Sequence, residues 1–97
     1  MKTYAQRLVE LETTFVPANL HFTTAEEMKK VGEILGLNEM GKFELQNMRD
    51  MSVMFFDSNA NDARADRDWD AYDRIRETMF SVTATIDNVM YNRGYGV

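Results

Sequence analysis

The stretch that decides the fold is residues 72–90, Tyr-Asp-Arg-Ile-Arg-Glu-Thr-Met-Phe-Ser-Val-Thr-Ala-Thr-Ile-Asp-Asn-Val-Met. Large apolar side chains recur in it at intervals of three and four residues: Tyr72, Ile75, Met79, Val82, Ile86 and Met90. At about 100° per residue, this spacing places them on one face of an α-helix. The pattern predicts a long helix from about Asp62 to Asn92 with that face buried, and Gly94 is its natural stop.

Three more helices are predicted before this one. The first covers residues 2–14, and a second begins at the capping box formed by Thr24 and Glu27 and ends at Gly36. A third is predicted from about Asn38 to Phe56, followed by a turn at residues 57–61, Asp-Ser-Asn-Ala-Asn, because such side chains bond to their own backbone. We therefore predict one all-α domain over residues 1–97, a small antiparallel bundle of about four helices with two long C-terminal ones.

The segment between the first two helices, residues 15–23, is predicted to be an extended connector. Pro17 bars a helix there, because the residue before a proline disfavours the α conformation. A short strand pairing in this segment is the main alternative to the all-α prediction. His21, the one histidine of the chain, has no serine, cysteine or second histidine arranged around it, which is typical of a structural histidine.

The composition excludes several kinds of function. The chain has 97 residues and no cysteine, which excludes disulfides, thiolate metal sites and cysteine nucleophiles. Its net charge of −5 argues against direct binding of nucleic acid, which requires phosphate neutralisation. No run approaches the roughly 18 apolar residues of a membrane span, and the start is not a signal peptide. We expect a cytoplasmic protein that is not an enzyme and has no cofactor and no metal.

Residues 62–77 hold the candidate partner-binding residues, which are Asp62, Asp66, Trp69, Asp70, Asp73 and Glu77. On a single helix the five carboxylates fall within a narrow arc of one face, with Trp69 at its border. They then cover about 22 Å at a spacing near 6 Å, close to the repeat of phosphates along a nucleic-acid strand. Such a stripe fits a basic groove that normally holds DNA or RNA. An ordinary solvated face is the alternative.

The same segment partly matches a calcium-binding loop. Asp66, Asp68, Asp70 and Glu77 stand at the first, third, fifth and twelfth loop positions, but Ala71 occupies the position that requires glycine. Together with the helical period, this alanine favours a helix over a calcium loop.

The third predicted helix is apolar on more than one side. Its candidate oligomer interface consists of Met48, Met51, Phe55 and Phe56, which a second copy of the chain would bury. A methionine-filled core is the alternative. Residues 28–48 also resemble a helix-turn-helix in the spacing of Gly32 and Gly36, but the second helix would offer two acids and one lysine to DNA.

We therefore predict a small acidic protein-interaction module that binds a basic, nucleic-acid-binding groove of a partner protein. Short, acidic, cysteine-free chains without an active site are typical of inhibitors encoded by phages and mobile elements, which would act in the cytoplasm of the host cell. The alternatives are a structural homo-oligomer assembled through the Met/Phe-rich helix and a helix-turn-helix-like DNA-binding regulator. A metal-dependent enzyme ranks last.

Overall fold

Two helices of 24 residues each, α3 (Lys42–Ala65) and α4 (Trp69–Asn92), pack side by side and form the largest part of the structure. This computed structural model describes residues 2–18 and 22–95. Before the long pair come α1 (Tyr4–Thr14), α2 (Ala25–Leu35) and a short 3-10 turn (Leu37–Glu39). The prediction of an all-α bundle with two long C-terminal helices is confirmed, and the described ranges contain no strand. None of the described helices has the length and apolar character needed to cross a bilayer.

The turn between the two long helices lies at residues 66–68, so the predicted turn at residues 57–61 and the predicted helix start at Asp62 are both wrong. Ala60 and Ala63 are buried at spacings of four and three residues after Phe56, which continues the buried face of α3. Packing of this face outweighs the turn preference of the polar residues around it. The chain reverses where Arg67 adopts a left-handed conformation with a φ of 57°.

The start of α3 also differs from the prediction. Residues 37–39 form the 3-10 turn, and α3 begins at Lys42 instead of Asn38. Arg93, just after α4, fixes this region because its guanidinium donates hydrogen bonds to the carbonyls of Leu37, Asn38 and Met40.

The core is a single cluster to which all four helices contribute. Its fully buried members include Leu11 of α1, Leu35 of α2, Phe56 of α3, and Val82 and Ile86 of α4. The predicted apolar face of the last helix is therefore buried at Val82 and Ile86. Its flanking residues, Ile75, Met79 and Met90, pack against the cluster from partly buried positions.

Glu27 holds the backbone on either side of residues 19–21. Its carboxylate accepts hydrogen bonds from the backbone N–H groups of Thr24 (3.0 Å) and Ala18 (2.9 Å). The predicted capping box at Thr24 is confirmed, and Thr3 and Gln6 form a second one at the start of α1. His21 and its neighbours at 19 and 20 lie outside the described residues, so the connector as a whole stays a prediction.

Two glycines near α2 should respond to alanine with opposite signs. Gly32 lies inside α2, and a Cβ added there would meet no atom within 4 Å, so Gly32→Ala should stabilise the fold by about 1 kcal/mol through helix propensity. Gly36 has a φ of +70°, and its Cβ would lie 3.2 Å from the Arg7 guanidinium, so Gly36→Ala should destabilise by about 1 kcal/mol or more. Urea unfolding midpoints measure both changes. Equal signs would contradict the described backbone.

The stability of the fold should depend on pH through the carboxyl group of Glu27. Hydrogen bonds from the N–H groups of Thr24 and Ala18 lower its pKa in the folded state. The stabilisation is therefore complete above the unfolded pKa, near 4.3, and is lost as the pH falls through the lower folded pKa. Glu27→Gln should reduce stability at pH 7 by about 1 kcal/mol and flatten the decline of the urea midpoint below pH 4.5. Glu26→Gln is the matched control in the same helical turn, and an equal effect there would refute the role of Glu27.

Candidate functional site

The most prominent surface feature is the hairpin corner, which we define as residues 62–73, where α3 turns into α4. Asp62 lies in the last turn of α3, Asp66 is its C-cap, Asp68 caps α4, and Asp70 and Asp73 lie in the first turns of α4. All five side chains are exposed. The turn itself is closed by backbone hydrogen bonds from Arg67 to Arg64 and from Asp68 to Ala63, the pattern of a Schellman motif.

The predicted acidic stripe on one helix face is wrong in its geometry. Asp62 and Asp66 belong to α3, whereas Asp70, Asp73 and Glu77 belong to α4, and the turn at residues 66–68 separates the two groups. The regular phosphate-like spacing derived for one continuous helix therefore does not apply. The structure still brings Asp62, Asp66, Asp70 and Asp73 to the same end of the hairpin, and it leaves Glu77 partly buried two turns along α4.

The acidic residues of the corner lie at two helix ends of opposite dipole, so their negative charges are not equally stabilised. Asp68 and Asp70 lie at the N-terminus of α4, where the helix dipole stabilises negative charge, and Asp68 accepts a hydrogen bond from the Ala71 N–H at 3.2 Å. Asp62 and Asp66 lie at the C-terminus of α3, where the dipole disfavours them. The ion pairs of the described chain are Lys2 with Glu10 and Arg49 with Asp87. None of the corner carboxylates is thus neutralised by a direct salt bridge within the described ranges.

Trp69 stands among these carboxylates with 54% of its surface exposed. Its ring meets the edge of Tyr72 with the ring centroids 5.7 Å apart and the planes at 77°. The Arg76 guanidinium lies 5.7 Å from the centre of the Tyr72 ring. The three side chains form an ordered row along α4, so the indole is held in place although half of it faces water. Sequence reasoning placed Trp69 at the site but did not foresee the support from Tyr72 and Arg76.

The corner is not arranged as a metal site. No three Asp, Glu or His side chains converge on a common point in residues 2–18 and 22–95. Residues 69–77 are helical, so their carboxylates fan around the axis instead of wrapping a cation as a calcium loop does. The calcium alternative therefore does not apply to this segment.

The candidate oligomer interface is divided between the core and the surface. Met48 and Phe56 are completely buried in the core of the chain itself, and Phe55 packs edge-on against Phe56 with 5.1 Å between ring centroids. Assigning Met48 and Phe56 to an intermolecular surface is therefore wrong, because no second copy could reach them in this fold. Met51 remains at the surface, with 38% exposed.

Two residues absent from the predicted interface are the most exposed apolar side chains of α3. Phe43 is 76% exposed and Met54 is 72% exposed. They are eleven residues apart, which places them within about 20° on the helix, on the side away from Met48. The sequence contained this signal, but the helical period alone could not show which apolar side of α3 faces the core.

A shallow groove between α2 and α4 is a concave surface whose chemistry differs from that of the hairpin corner. Its cavity is about 290 Å³ and is lined mainly by Met28, Lys29, Gly32, Asn88, Val89 and Asn92. We refer to it as the α2–α4 groove. Its residues are far apart in the sequence, so no local motif could reveal it. Gly32 lies in this groove. The helix α2 packs chiefly against α1 and α4, whereas the helix-turn-helix spacing would pair α2 with the next long helix, α3.

A larger and more open cavity of about 470 Å³ lies between α1 and α2. The Lys2–Glu10 ion pair and the Arg7 guanidinium line it, and Arg7 donates to the carbonyl of Leu35 at 3.1 Å. Lys2, Glu10 and Arg7 thus have partners within the chain, and the lining also includes the acids Glu33 and Glu39.

Comparisons with protein-family models, with curated proteins and with solved structures found no significant match to this chain.

Proposed function

We propose that this protein is an interaction module that binds a basic surface of a partner protein through the hairpin corner. The observation that carries the proposal is Trp69, a half-exposed indole fixed by Tyr72 in the midst of carboxylates. Tryptophan is strongly enriched among the residues that dominate binding energy at protein interfaces. Burying its exposed half against a partner would supply apolar contact area that the folded chain does not use.

The charge around Trp69 indicates the chemistry of the partner. Residues 62–73 carry the acids Asp62, Asp66, Asp68, Asp70 and Asp73 and the bases Arg64 and Arg67, a net charge of −3. A surface with this charge would steer toward lysine- and arginine-rich surfaces and accelerate association at low ionic strength. A nucleic-acid-binding groove is one such surface, although the corner offers a cluster of charge instead of a phosphate-like ladder.

The left-handed Arg67 also supports a binding role for the corner. Non-glycine residues in this conformation cost roughly 1–2 kcal/mol, and glycine is the usual residue at this position of a Schellman motif. Strained residues tend to persist where they serve function.

In this proposal the protein acts by occupying the surface of its partner and not by catalysis. A small inhibitor of the phage or mobile-element type, working in the host cytoplasm, is the specific form that best suits a short acidic chain. Its target would be a protein whose own ligand is acidic.

The proposal is tested with the triple variant Asp66→Asn, Asp70→Asn and Asp73→Asn. The partner is first captured from the native host with the wild-type protein and then purified for calorimetry. We expect the triple variant to bind at least tenfold more weakly, because three charges facing the basic surface are removed. Circular dichroism should show the same helix content, since all three side chains are exposed.

The matched control removes the same charge elsewhere, with Glu33→Gln, Asp50→Asn and Asp57→Asn. These residues are exposed and lie outside the corner. An equal loss of affinity in both triple variants would mean that only total charge matters, and unchanged affinity in the corner variant would refute the proposal. Trp69→Ala should weaken binding independently of salt, whereas the effect of the carboxylates should shrink as salt rises.

A homo-oligomer is the second candidate, favoured by the exposure of Phe43, Met51 and Met54 on α3. Large apolar side chains on one helix surface are typical of faces that a second molecule covers. In this second candidate the interface is the outer side of α3, which we define by Phe43, Met51 and Met54. It does not include the buried Met48 and Phe56.

Light scattering tests the homo-oligomer candidate directly. If the outer side of α3 is an interface, the wild-type chain should be larger than a monomer at micromolar concentration, and Phe43→Ser with Met54→Gln should convert it to a monomer without loss of helix content. Val9→Ser on α1, another exposed apolar position, is the control. A monomeric wild type at about 100 µM, roughly a hundredfold above a micromolar dissociation constant, would exclude it.

A further inference from the structure

Gly32 occupies a position that the fold of this chain does not explain. It lies in the interior of α2, where glycine is less favourable than alanine. Apart from the two neighbouring residues and the backbone of α2 itself, no described atom lies within 4 Å of the place where a Cβ would stand, so no contact with another element demands a glycine. The free space at Gly32 opens into the α2–α4 groove, so the group that benefits from the missing side chain would come from outside the chain.

The groove differs in charge from the rest of the molecule. The chain has a net charge of −5, yet the charged residue that lines this groove is Lys29, and no acid lines it. Lys29 takes part in no ion pair within the described residues. An acidic group that enters the groove would find on the α2 wall an ammonium group that forms no ion pair within the part of the chain that the structure describes.

The α4 wall of the groove carries two side-chain amides, Asn88 and Asn92, and neither forms a hydrogen bond within the described chain. Four residues apart on one helix, they are separated by about 6 Å along the axis. Alternate residues of an extended chain are about 6.6 Å apart, and an asparagine amide can both donate to and accept from a peptide unit. The spacing of the two amides therefore matches the spacing of alternate residues along an extended peptide.

We propose that the α2–α4 groove binds an extended, acidic peptide segment of a partner protein. One apolar side chain of the peptide lies on the floor formed by Gly32, Met28 and Val89. The amides of Asn88 and Asn92 bond to the peptide backbone, and the ammonium group of Lys29 pairs with a flanking carboxylate. A cavity of about 290 Å³ is at the lower end of ligand sites, which suits a short segment and is too small for a helix.

This site is separate from the hairpin corner in place and in chemistry. Residues 88–92 and the corner lie toward opposite ends of α4, about 30 Å apart along the helix. The corner takes a basic surface and the groove takes an acidic peptide. The groove could therefore bind its peptide whether or not the corner binds a partner.

The test is an amide-resolved NMR titration of the full chain with three capped pentapeptides. They are acetyl-Ala-Asp-Leu-Asp-Ala-amide and two counterparts in which lysine or asparagine replaces both aspartates. We expect the acidic peptide alone to shift the amide signals of residues 28–32 and 88–92, with a millimolar or stronger dissociation constant. Lys29→Gln should weaken binding at least threefold, whereas its neighbour Lys30→Gln, which does not line the groove, should leave it unchanged.

Gly32→Ala separates a binding role from a structural one. The variant should unfold at a higher temperature than the wild type and yet bind the acidic peptide at least fivefold more weakly, because its methyl group fills the floor. Gly32→Leu should abolish binding. Asn92→Ala should weaken binding, and Asn61→Ala, an exposed asparagine on α3, should not.

Three results would overturn the proposal. The first is the absence of any signal shift at 5 mM acidic peptide, which is about the upper limit of weak specific binding. The second is an equal shift with the lysine peptide, and the third is undiminished binding of the acidic peptide by Gly32→Ala. The corner variant Asp66→Asn, Asp70→Asn and Asp73→Asn should bind the peptide like the wild type. This comparison keeps a failure of the groove distinct from a failure of the corner.

Discussion

The rest of the structure depends on the close packing of α3 against α4 along small buried side chains. Ser52, Ala60 and Ala63 of α3 and Thr78 of α4 are buried, and α3 and α4 share the most extensive contact between two helices of the described chain. Small side chains allow two helix backbones to approach closely, but a buried hydroxyl needs a hydrogen-bond partner. Ser52 and Thr78 each donate to a carbonyl four residues earlier in their own helix, at 2.5 Å and 2.9 Å. No bond across the helices is needed to satisfy these two hydroxyls, whereas Arg49 of α3 and Asp87 of α4 form an ion pair across the two helices. Both α1 and α2 pack against this hairpin.

This packing also determines where the chain turns. Because the buried side of α3 continues as far as Ala63, the reversal is confined to residues 66–68, and so short a turn requires a left-handed residue. Arg67 adopts that conformation at a local cost that the packing of two 24-residue helices outweighs. The position of Trp69, and of every carboxylate around it, follows from the turn. The place of Trp69 is therefore a consequence of the buried Ala63 and Ala60, six and nine residues earlier in the sequence.

Local signals predicted the fold wherever they agreed with the packing. Thr24 with Glu27 and the glycine at 36 marked the ends of α2 because capping is a short-range interaction. The turn was misplaced because the preferences of residues 57–61 amount to a few tenths of a kcal/mol each, less than the burial of the side chains that α3 keeps against α4. The site residues could be named from the sequence, but their arrangement could not, since moving the turn by a few residues divides one face into two helix ends. In α3, apolar residues lie on opposite sides, so the sequence leaves the buried side undetermined, and the predicted surface role of Met48 and Phe56 is wrong for that reason.

Two residues of this chain are unfavourable for its own local structure, and each lies at one of the two proposed binding surfaces. Glycine at 32 weakens α2, and arginine at 67 strains the hairpin turn, whereas the glycine at 36 is required by its positive φ. A 97-residue domain buries only about two-thirds of its unfolded surface, and its total stability is of the order of 5–15 kcal/mol. Two costs near 1 kcal/mol are a considerable part of that total. Exchanging the two residue types, with a side chain at 32 and a glycine at 67, would suit the isolated fold better. Their present placement fits surfaces shaped by partners, with free space in the groove and a strained turn beside the exposed Trp69 at the corner.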